Sequence, residues 1–354
     1  MSVQLLRGLA ALAVMLFHFR WNINLIHPGL GNELFSWGLI GVDLFFIISG
    51  FVIVLTAKKL EPGFSSVLTF IKHRFTRILP VYYVILLISF LVCGGMSTFH
   101  YENKTENLIS AVLFKPFMAQ HAPFYVDDGA FLGVRWTLNY EMMFYVVMSL
   151  SLFTKYRWYM LAACFCVLQL IIPLLTGQQP SLSLSGYQFE NIYLMLATNP
   201  LMLTFLPGVL IGIGYSYLNN INVLIKRVLL IGSSTICIYM ISSGHDVSHG
   251  VFVSGWYLSL LFLSCVINED LIAKITHPFF ISLGDASFSL YLIHGLMNDG
   301  IGKRFAGLGI QDGLPRFAVS VILSIFLAFL SYKYIEKGLA SFFKKRNQVS
   351  ALVK

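Results

Sequence analysis

Ten apolar runs, each long enough to cross the hydrocarbon core of a bilayer, follow one another along the 354-residue chain. In this chain 57% of the residues are hydrophobic and only 11% are charged, far fewer charges than a soluble domain carries. The sequence therefore predicts an all-α integral membrane protein with about ten transmembrane helices in one bundle. The runs cover residues 4–25, 35–57, 78–97, 131–153, 157–176, 196–218, 226–243, 250–267, 283–299 and 314–335.

The distribution of Lys and Arg between the runs predicts the orientation of the helices. With the N-terminus inside, sixteen of these residues fall on the cytoplasmic side and seven on the other, Arg7 being left out as intramembrane. We therefore expect both termini in the cytoplasm and a multi-pass protein of the inner (cytoplasmic) membrane. Residues 1–340 are predicted to form one membrane domain, and residues 341–354 a short basic cytoplasmic tail. Charges in short clusters between apolar runs are typical of topology signals and not of nucleic-acid binding.

Arg7 and His18 share one stripe of the first apolar run, because eleven residues return to nearly the same face of a helix. They are then about 16 Å apart along the helix axis. Ionisable groups at the centre of a membrane helix cost about 2.5–3.5 kcal/mol each, so they usually face a bundle interior or a wet cavity. His18 can act as a general base or simply form a hydrogen bond between helices. A permanent cation at Arg7 suits a phosphate or carboxylate ligand and favours a functional site.

Two carboxylates occupy otherwise apolar runs. Asp43 is expected at a depth comparable to that of His18, where it must be protonated or paired. It can form a structural hydrogen bond to the first helix, or it can orient His18. Glu141 lies one to two turns into the fourth run, and a functional role is favoured there. Trp136, five residues before it, is either an anchor in the aromatic belt or a contact for a sugar ring.

Two further polar segments leave more than one interpretation open. Arg74 and Arg77 are spaced i, i+3 on one helical face, where they act as a topology signal or bind a pyrophosphate. The segment GHDVSH at 244–249 has two histidines spaced i, i+4 but no clear third ligand, so a solvated external turn is the default interpretation. His294 lies within the apolar segment GDASFSLYLIHGLM. No metal site is predicted.

Five motifs resemble, in the same order, those of the acyltransferase family 3 of integral-membrane acyltransferases, and within it the exopolysaccharide-production type. They span residues 4 to about 336. The matching segments are QLLRGLAALAVMLFHF, GVDLFFIISGFVI, RFTRILPVYY, WTLNYEMMFY and GDASFSLYLIH. The resemblance implies a ten-helix bundle that takes an acyl group, commonly acetyl from acetyl-CoA, and places it on a hydroxyl of a glycan or lipid-linked sugar.

The resemblance also implies roles for individual residues. His18 corresponds to the catalytic histidine of the family and Arg7 to its paired arginine, while Arg74 and Arg77 correspond to arginines that recognise acyl-CoA. The family often has Glu and then Pro near the end of its last helix, whereas Glu336 is followed two residues later by Gly, which leaves its role open. Many relatives carry a C-terminal hydrolase-like domain that this sequence does not include, so a second transfer step within it is not expected.

These observations give a hypothesis for the reaction. Acyl-CoA, a co-substrate and not a bound cofactor, enters from the cytoplasmic side, where Arg7, Arg74 and Arg77 neutralise its phosphates. Its pantetheine arm reaches toward His18, which acts as a general base on the acceptor hydroxyl or forms a transient acyl-histidine.

The remaining assignments complete the predicted catalytic set. Asp43 or Glu141 holds the tautomer of His18, while Trp136 and His294 are assigned to the carbohydrate acceptor. The expected partners are membrane lipid and polysaccharide biosynthesis proteins.

Two other classes of protein remain as alternatives. A transporter or flippase of lipid-linked sugars also needs intramembrane charges along its pathway. It is disfavoured because the sequence has no paired broken helices. A membrane scaffold is disfavoured because it gives no reason to place Arg7, His18, Asp43 and Glu141 in hydrocarbon.

Overall fold

The computed structural model describes residues 1–93, 95–126, 131–339 and 341. Within these ranges the chain forms helices and no β-strand, as expected for a membrane bundle. The tail predicted at 341–354 falls outside the described residues except for Ser341. The α-helices are α1 (Ser2–Asn24), α2 (Leu30–Phe35), α3 (Gly41–Ala57), α4 (Phe64–Val92), α5 (Gly95–Thr98), α6 (Glu102–Val112), α7 (Arg135–Ser151), α8 (Arg157–Cys166), α9 (Ile172–Leu175), α10 (Ile192–Thr198), α11 (Leu206–Leu218), α12 (Val223–Ser243), α13 (Trp256–Ile267), α14 (Glu269–Ile275), α15 (Pro278–Asp285), α16 (Ser287–Ile293), α17 (Leu296–Asp299) and α18 (Leu314–Ser331).

Segments of 3₁₀ and π helix join some of these α-helices into longer rods. The longer 3₁₀ segments connect α2 to α3 and α10 to α11, and π segments continue α8, precede α13 and follow α18. These segments are Ser36–Ile40, Pro200–Phe205, Val167–Ile171, Val251–Gly255 and Tyr332–Glu336.

Seven helical rods in the described residues are long and apolar enough to cross a membrane, and two bent helix pairs raise the number to at most nine. The ten spans predicted from the sequence are therefore not confirmed. The run at 131–153 accounts for the difference, because its helix α7 has only 17 residues and begins with polar side chains. At 1.5 Å per residue, α7 is about 26 Å long, which is shorter than the hydrocarbon core.

Helix α1 lies at the centre of the bundle and contacts α3, α15, α16 and α18. Small residues allow the backbones to approach closely, as is common between membrane helices. A Cβ atom on Gly41 would lie 2.5 Å from the carbonyl oxygen of Ala10, and one on Gly284 would lie 1.9 Å from that of Gln4. Glycine at these two positions therefore fixes the height of α1 relative to α3 and α15.

Aromatic packing holds α3 and α7 in position. The ring of Phe205 lies 4.5 Å from that of Phe46 on α3 and 4.4 Å from that of Phe144 on α7, measured between centroids. All three side chains are buried. Because rings of this size contribute much of the packing energy of a core, this cluster locks together the two helices that carry Asp43 and Glu141.

Candidate active site

Three arginines and one glutamate meet in a cavity between five helices, α1, α3, α4, α7 and α16. Arg7 comes from α1, Arg74 and Arg77 come from the first half of α4, and Glu141 comes from α7. The cavity has a volume of about 90 Å³, enough for several water molecules. The i, i+3 spacing of Arg74 and Arg77 places both on one face, as the sequence predicted, and that face is turned toward Arg7.

The positive charges of this arginine cavity are not balanced by ion pairs. Among the described residues, none of the three guanidinium groups has a carboxylate oxygen within 4.0 Å. Arg74 donates a hydrogen bond to Thr56 Oγ1 at 3.1 Å and lies near the faces of two aromatic rings. A cavity with three guanidinium groups and one carboxylate therefore has an excess of positive charge and suits an anion.

Glu141 is held by two hydroxyl groups at the wall of this cavity. Its Oε1 accepts hydrogen bonds from Ser49 Oγ at 2.9 Å and from Tyr145 OH at 2.5 Å. Tyr145 is one helical turn further along α7, while Ser49 belongs to α3. The carboxylate therefore ties α3 to α7 and is positioned beside the guanidinium groups.

Glu336 also approaches the arginines, although the sequence left its role open. Its Oε2 accepts a hydrogen bond from Ser289 Oγ at 3.2 Å. The carboxylate interacts electrostatically with Arg77 and Arg7, beyond ion-pair distance. The π segment after α18 thus brings a second carboxylate to the neighbourhood of the arginine cavity.

His18 lies outside the arginine cavity and pairs with His294. Their ring centroids are 4.9 Å apart. The Nδ1 atom of His18 is 2.9 Å from the carbonyl oxygen of Val14, and that of His294 is 3.2 Å from that of Leu290. A carbonyl can only accept, so each Nδ1 carries a proton and each neutral ring keeps a lone pair on Nε2. The Nε2 of His294 is buried and has no hydrogen-bond partner within the described part of the chain.

Tyr291 lies between the arginine cavity and the two histidines. It lines the cavity, and its ring centroid is 5.8 Å from that of His294. Its hydroxyl is 2.8 Å from Thr137 Oγ1, which fixes the ring against α7. Tyr291 therefore links the wall of the cavity to the histidine pair.

Asp43 does not contact His18, and the prediction that it orients that histidine is wrong. Its Oδ2 is 2.9 Å from His249 Nδ1, and its Oδ1 accepts from the Gly250 backbone N–H at 3.2 Å. Gly41, two residues before Asp43, packs on Ala10 and Val14, which are eight and four residues before His18 on α1. Helix α3 begins only at Gly41, because residues 30–40 form α2 and a 3₁₀ segment.

Glu141 does not hold the tautomer of His18 either. Its hydrogen bonds go to Ser49 and Tyr145, and the Nδ1 proton of His18 is bound to the carbonyl of Val14 in its own helix. The backbone therefore performs the orienting role that the sequence analysis assigned to a carboxylate.

Trp136 is nearly buried and packs on His249. The ring centroids are 5.6 Å apart, and the ring of Phe124 lies 4.9 Å from that of Trp136. The expectation of a solvated turn at 244–249 holds for the exposed His245 and is wrong for His249, which is only 12% exposed. The available signal was that a buried carboxylate needs a partner, and His249 is the last polar side chain before the apolar run at 250–267.

No group of three or more metal-ligating side chains occurs among the residues that the structure describes.

An all-helical bundle with an arginine-lined cavity and a pair of neighbouring histidines provides groups suited to a membrane-embedded transferase. The family model described as acyltransferase domain, that of acyltransferase family 3, matches residues 2–333. The chain belongs to this family and is an O-acyltransferase, which confirms the resemblance seen in its motifs.

Curated relatives are similar over much of the chain. The exopolysaccharide production protein ExoZ of Rhizobium meliloti (strain 1021) is 28% identical over 86% of this chain and 90% of its own length. A protein of Staphylococcus aureus (strain COL), provisionally named an O-acetyltransferase, is 23% identical over 94% of the chain and 56% of its own length. The peptidoglycan O-acetyltransferase OatA of Listeria monocytogenes is 26% identical over 44% of the chain and 25% of its own length. No solved structure matches the chain.

Proposed function

We propose that this membrane O-acyltransferase moves an acyl group, expected to be acetyl, from cytoplasmic acyl-CoA to a hydroxyl of a cell-surface or lipid-linked carbohydrate. The observation that carries the proposal is the cavity lined by three guanidinium groups, none with a carboxylate within ion-pair distance among the described residues, in a chain of the acyltransferase family. We expect the protein to act in the inner membrane, with both termini in the cytoplasm and the arginine cavity open toward the cytoplasm.

The donor is proposed to bind through its phosphate groups. Arg7, Arg74 and Arg77 have guanidinium groups that match phosphate geometry with two parallel hydrogen bonds each. In the apo protein these groups have no carboxylate within ion-pair distance among the described residues, so donor binding would not have to break an ion pair. The pantetheine arm would then extend along α1, where His18 is about 16 Å above Arg7.

The chemical step is proposed to take place at His18. Its Nδ1–H is bound to Val14, so the Nε2 lone pair is available to accept a proton or to attack a thioester. Both routes stay open: general-base catalysis on the acceptor hydroxyl, or a transient acyl-His18 that then transfers its group. In either route the acyl arm passes Tyr291, which lies between the arginine cavity and His294.

Glu141 and Asp43 are still proposed to contribute to the reaction, but through contacts other than a hydrogen bond to His18. Glu141 borders the arginine cavity, where its charge limits how tightly the anionic donor and the released CoA are held. Asp43 acts through His249 and not through His18.

The acceptor is proposed to be a carbohydrate, because relatives are named for exopolysaccharide production and for peptidoglycan O-acetylation. Trp136 is proposed as a contact of this acceptor, whereas His294 is fully buried and is proposed to act as the neighbour of His18. Membrane lipid and polysaccharide biosynthesis proteins are the further partners that we propose.

The test is CoA release in proteoliposomes that contain the purified protein. Acetyl-CoA labelled in its acetyl group is supplied with a polysaccharide extract of the source strain, and free thiol and labelled ester are measured. We expect thiol release that depends on the extract and equals the ester formed. A flippase would translocate its substrate without consuming acetyl-CoA, so substrate movement with no thiol release contradicts the proposal. Mass spectrometry of surface polysaccharide from cells with and without the gene would identify the ester.

A further inference from the structure

Asp43 and His249 form a carboxylate–imidazole pair that the proposed transfer at His18 does not use. Asp43 is fully buried, and it accepts hydrogen bonds from both the His249 ring and the Gly250 backbone. The pair joins the start of α3 to the loop after α12, which are 206 residues apart in the sequence. A buried carboxylate with two donors fixes the imidazole in one orientation.

The free nitrogen of His249 is accessible. Its Nδ1–H points to Asp43, so Nε2 is the remaining polar atom of the ring. This Nε2 has no hydrogen-bond partner among the described residues and is not fully buried, and the side chain keeps 12% of its surface exposed. Neutral imidazole accepts a hydrogen bond at Nε2 and imidazolium donates one there, and a hydroxyl group suits both.

Two aromatic rings flank the His249 imidazole. Trp136 lies 5.6 Å and Phe124 lies 6.2 Å from the His249 ring centroid, and both approach it edge to face. Phe124 is 41% exposed, so part of its surface is open to a ligand. The faces of aromatic rings carry negative charge density and attract the positive C–H edges of a sugar ring, while a fixed polar group beside them binds a hydroxyl.

The Asp43–His249 pair lies close to the arginine cavity but does not line it. Val42, Phe45 and Phe46 line the arginine cavity, whereas Asp43 in the same turn of α3 faces His249. Across the gap, Thr137 also lines the cavity, and its neighbour Trp136 packs on His249. The two sites therefore lie on different faces of the same turns of α3 and α7.

We propose that His249, held by Asp43 and flanked by Phe124 and Trp136, binds a hydroxyl of a saccharide. The inference rests on the proposed function, in that this saccharide is the acceptor. His249 would thus be a polar contact for the acceptor that the sequence does not reveal, and Trp136 lies beside it.

The decisive experiment compares two substitutions, each of which places an amide group near the position of a different imidazole nitrogen. In His249→Asn the amide N–H can still reach Asp43, but nothing replaces Nε2. In His249→Gln the longer side chain returns a polar group near the position of Nε2. The probes are p-nitrophenyl glycosides of glucose, galactose and N-acetylglucosamine, and binding to the purified full-length protein is measured by isothermal titration calorimetry.

We expect at least one glycoside to bind the unmodified protein, and His249→Asn to weaken that binding by about tenfold, as for one lost hydrogen bond. His249→Gln should recover most of it, and acetyl-CoA binding should be unchanged in both variants. Trp136→Leu should also weaken glycoside binding, whereas Trp136→Phe should retain it. Trp21→Leu, which changes an exposed ring at the far end of α1, is the matched control and should have no effect.

Equal glycoside binding by His249→Asn and the unmodified protein would mean that the pair only ties the loop to α3, and this result overturns the proposal. So does the absence of binding by any of the three glycosides. If glycosides bind as expected but acetyl-CoA is not consumed with any acceptor, the proposed function fails while the saccharide site stands. Calorimetry therefore tests the saccharide site, while release of CoA tests the acyltransferase reaction.

Discussion

His18 and His294 lie with their ring centroids 4.9 Å apart, and each donates its Nδ1–H to a carbonyl of its own helix. This arrangement leaves two Nε2 lone pairs in a mainly apolar environment. The residues differ in access, since His294 is fully buried and His18 is partly exposed. Of the two, His18 is therefore the residue that a substrate can reach, and His294 is its neighbour.

The first prediction follows from this difference in access. His18→Ala should reduce acyl transfer by about 10²–10⁴-fold, the contribution expected of a general base, because it removes the reachable Nε2. His294→Gln should have a smaller effect, since its amide can still bond within α16. Transfer is measured as ester formed from labelled acetyl-CoA, and expression and thermal stability serve as controls. Unreduced transfer by stable His18→Ala protein would contradict the assignment of the chemical step.

A second prediction concerns the arginine cavity. Arg74→Gln and Arg77→Gln should each raise KM for acetyl-CoA by about 10–100-fold, the worth of one hydrogen bond to a charged group, with a smaller change in kcat. Higher salt should weaken donor binding less in these variants than in the unmodified protein. Lys155→Gln is a suitable control because its charge is exposed away from the cavity. An unchanged KM in both arginine variants would show that they act only as topology signals.

Close helix packing gives a third prediction. Gly284→Ala should destabilise the protein by about 1–3 kcal/mol, because its Cβ would lie 1.9 Å from the carbonyl oxygen of Gln4 and α15 would have to move away from α1. Gly232→Ala on α12 is the matched control, since nothing lies within 4 Å of its added Cβ. Thermal unfolding in detergent should show a lower Tm for Gly284→Ala alone. Equal Tm values would mean that α1 and α15 are less tightly packed than described.

An exposed ion pair between α12 and α14, the helix that follows the bend after α13, gives a fourth prediction. The hydrogen bond from Arg227 lowers the pKa of Asp270, which follows the bend after α13, below its ordinary value of 3.8. A lowered pKa in the folded state stabilises the fold above the ordinary value, and the benefit is lost as the pH falls through the lowered pKa. Asp270→Asn should therefore lower Tm at neutral pH and match the unmodified protein in strong acid. A Tm difference that persists in acid would point to another cause.

The sequence predicted those parts of the site that depend on local geometry. The common face of Arg74 and Arg77 follows from a spacing of three residues. Because α4 is one continuous helix, both side chains line the same cavity, and the prediction that they share a face is confirmed. The stripe shared by Arg7 and His18 likewise needs only a regular α1. Most of the apolar runs coincide with rods or bent pairs, because their hydrophobicity by itself requires a helix in lipid.

Contacts between distant segments could not be predicted in the same way. The partner of Asp43 depends on where α3 starts and on how the loop after α12 returns, which are both tertiary features. An intramembrane carboxylate only indicates that some partner exists, and His18 was the nearest polar candidate in sequence. Likewise, Tyr291 carried no sequence signal, since one tyrosine in an apolar segment is usual in a membrane helix.

The last prediction separates the two roles that have been considered for Asp43. If it acts through His249 on the acceptor, Asp43→Asn should raise KM for the acceptor and leave KM for acetyl-CoA unchanged. The asparagine can still accept from His249 through one oxygen, so we expect a moderate effect of about 3–10-fold, as for a weakened hydrogen bond. If Asp43 instead supported His18, kcat would fall and both KM values would stay constant. Steady-state kinetics with each substrate varied in turn distinguish these cases, and His18→Ala supplies the reference pattern for loss of the chemical step. A fall in kcat alone for Asp43→Asn would therefore contradict an action of Asp43 on the acceptor through His249.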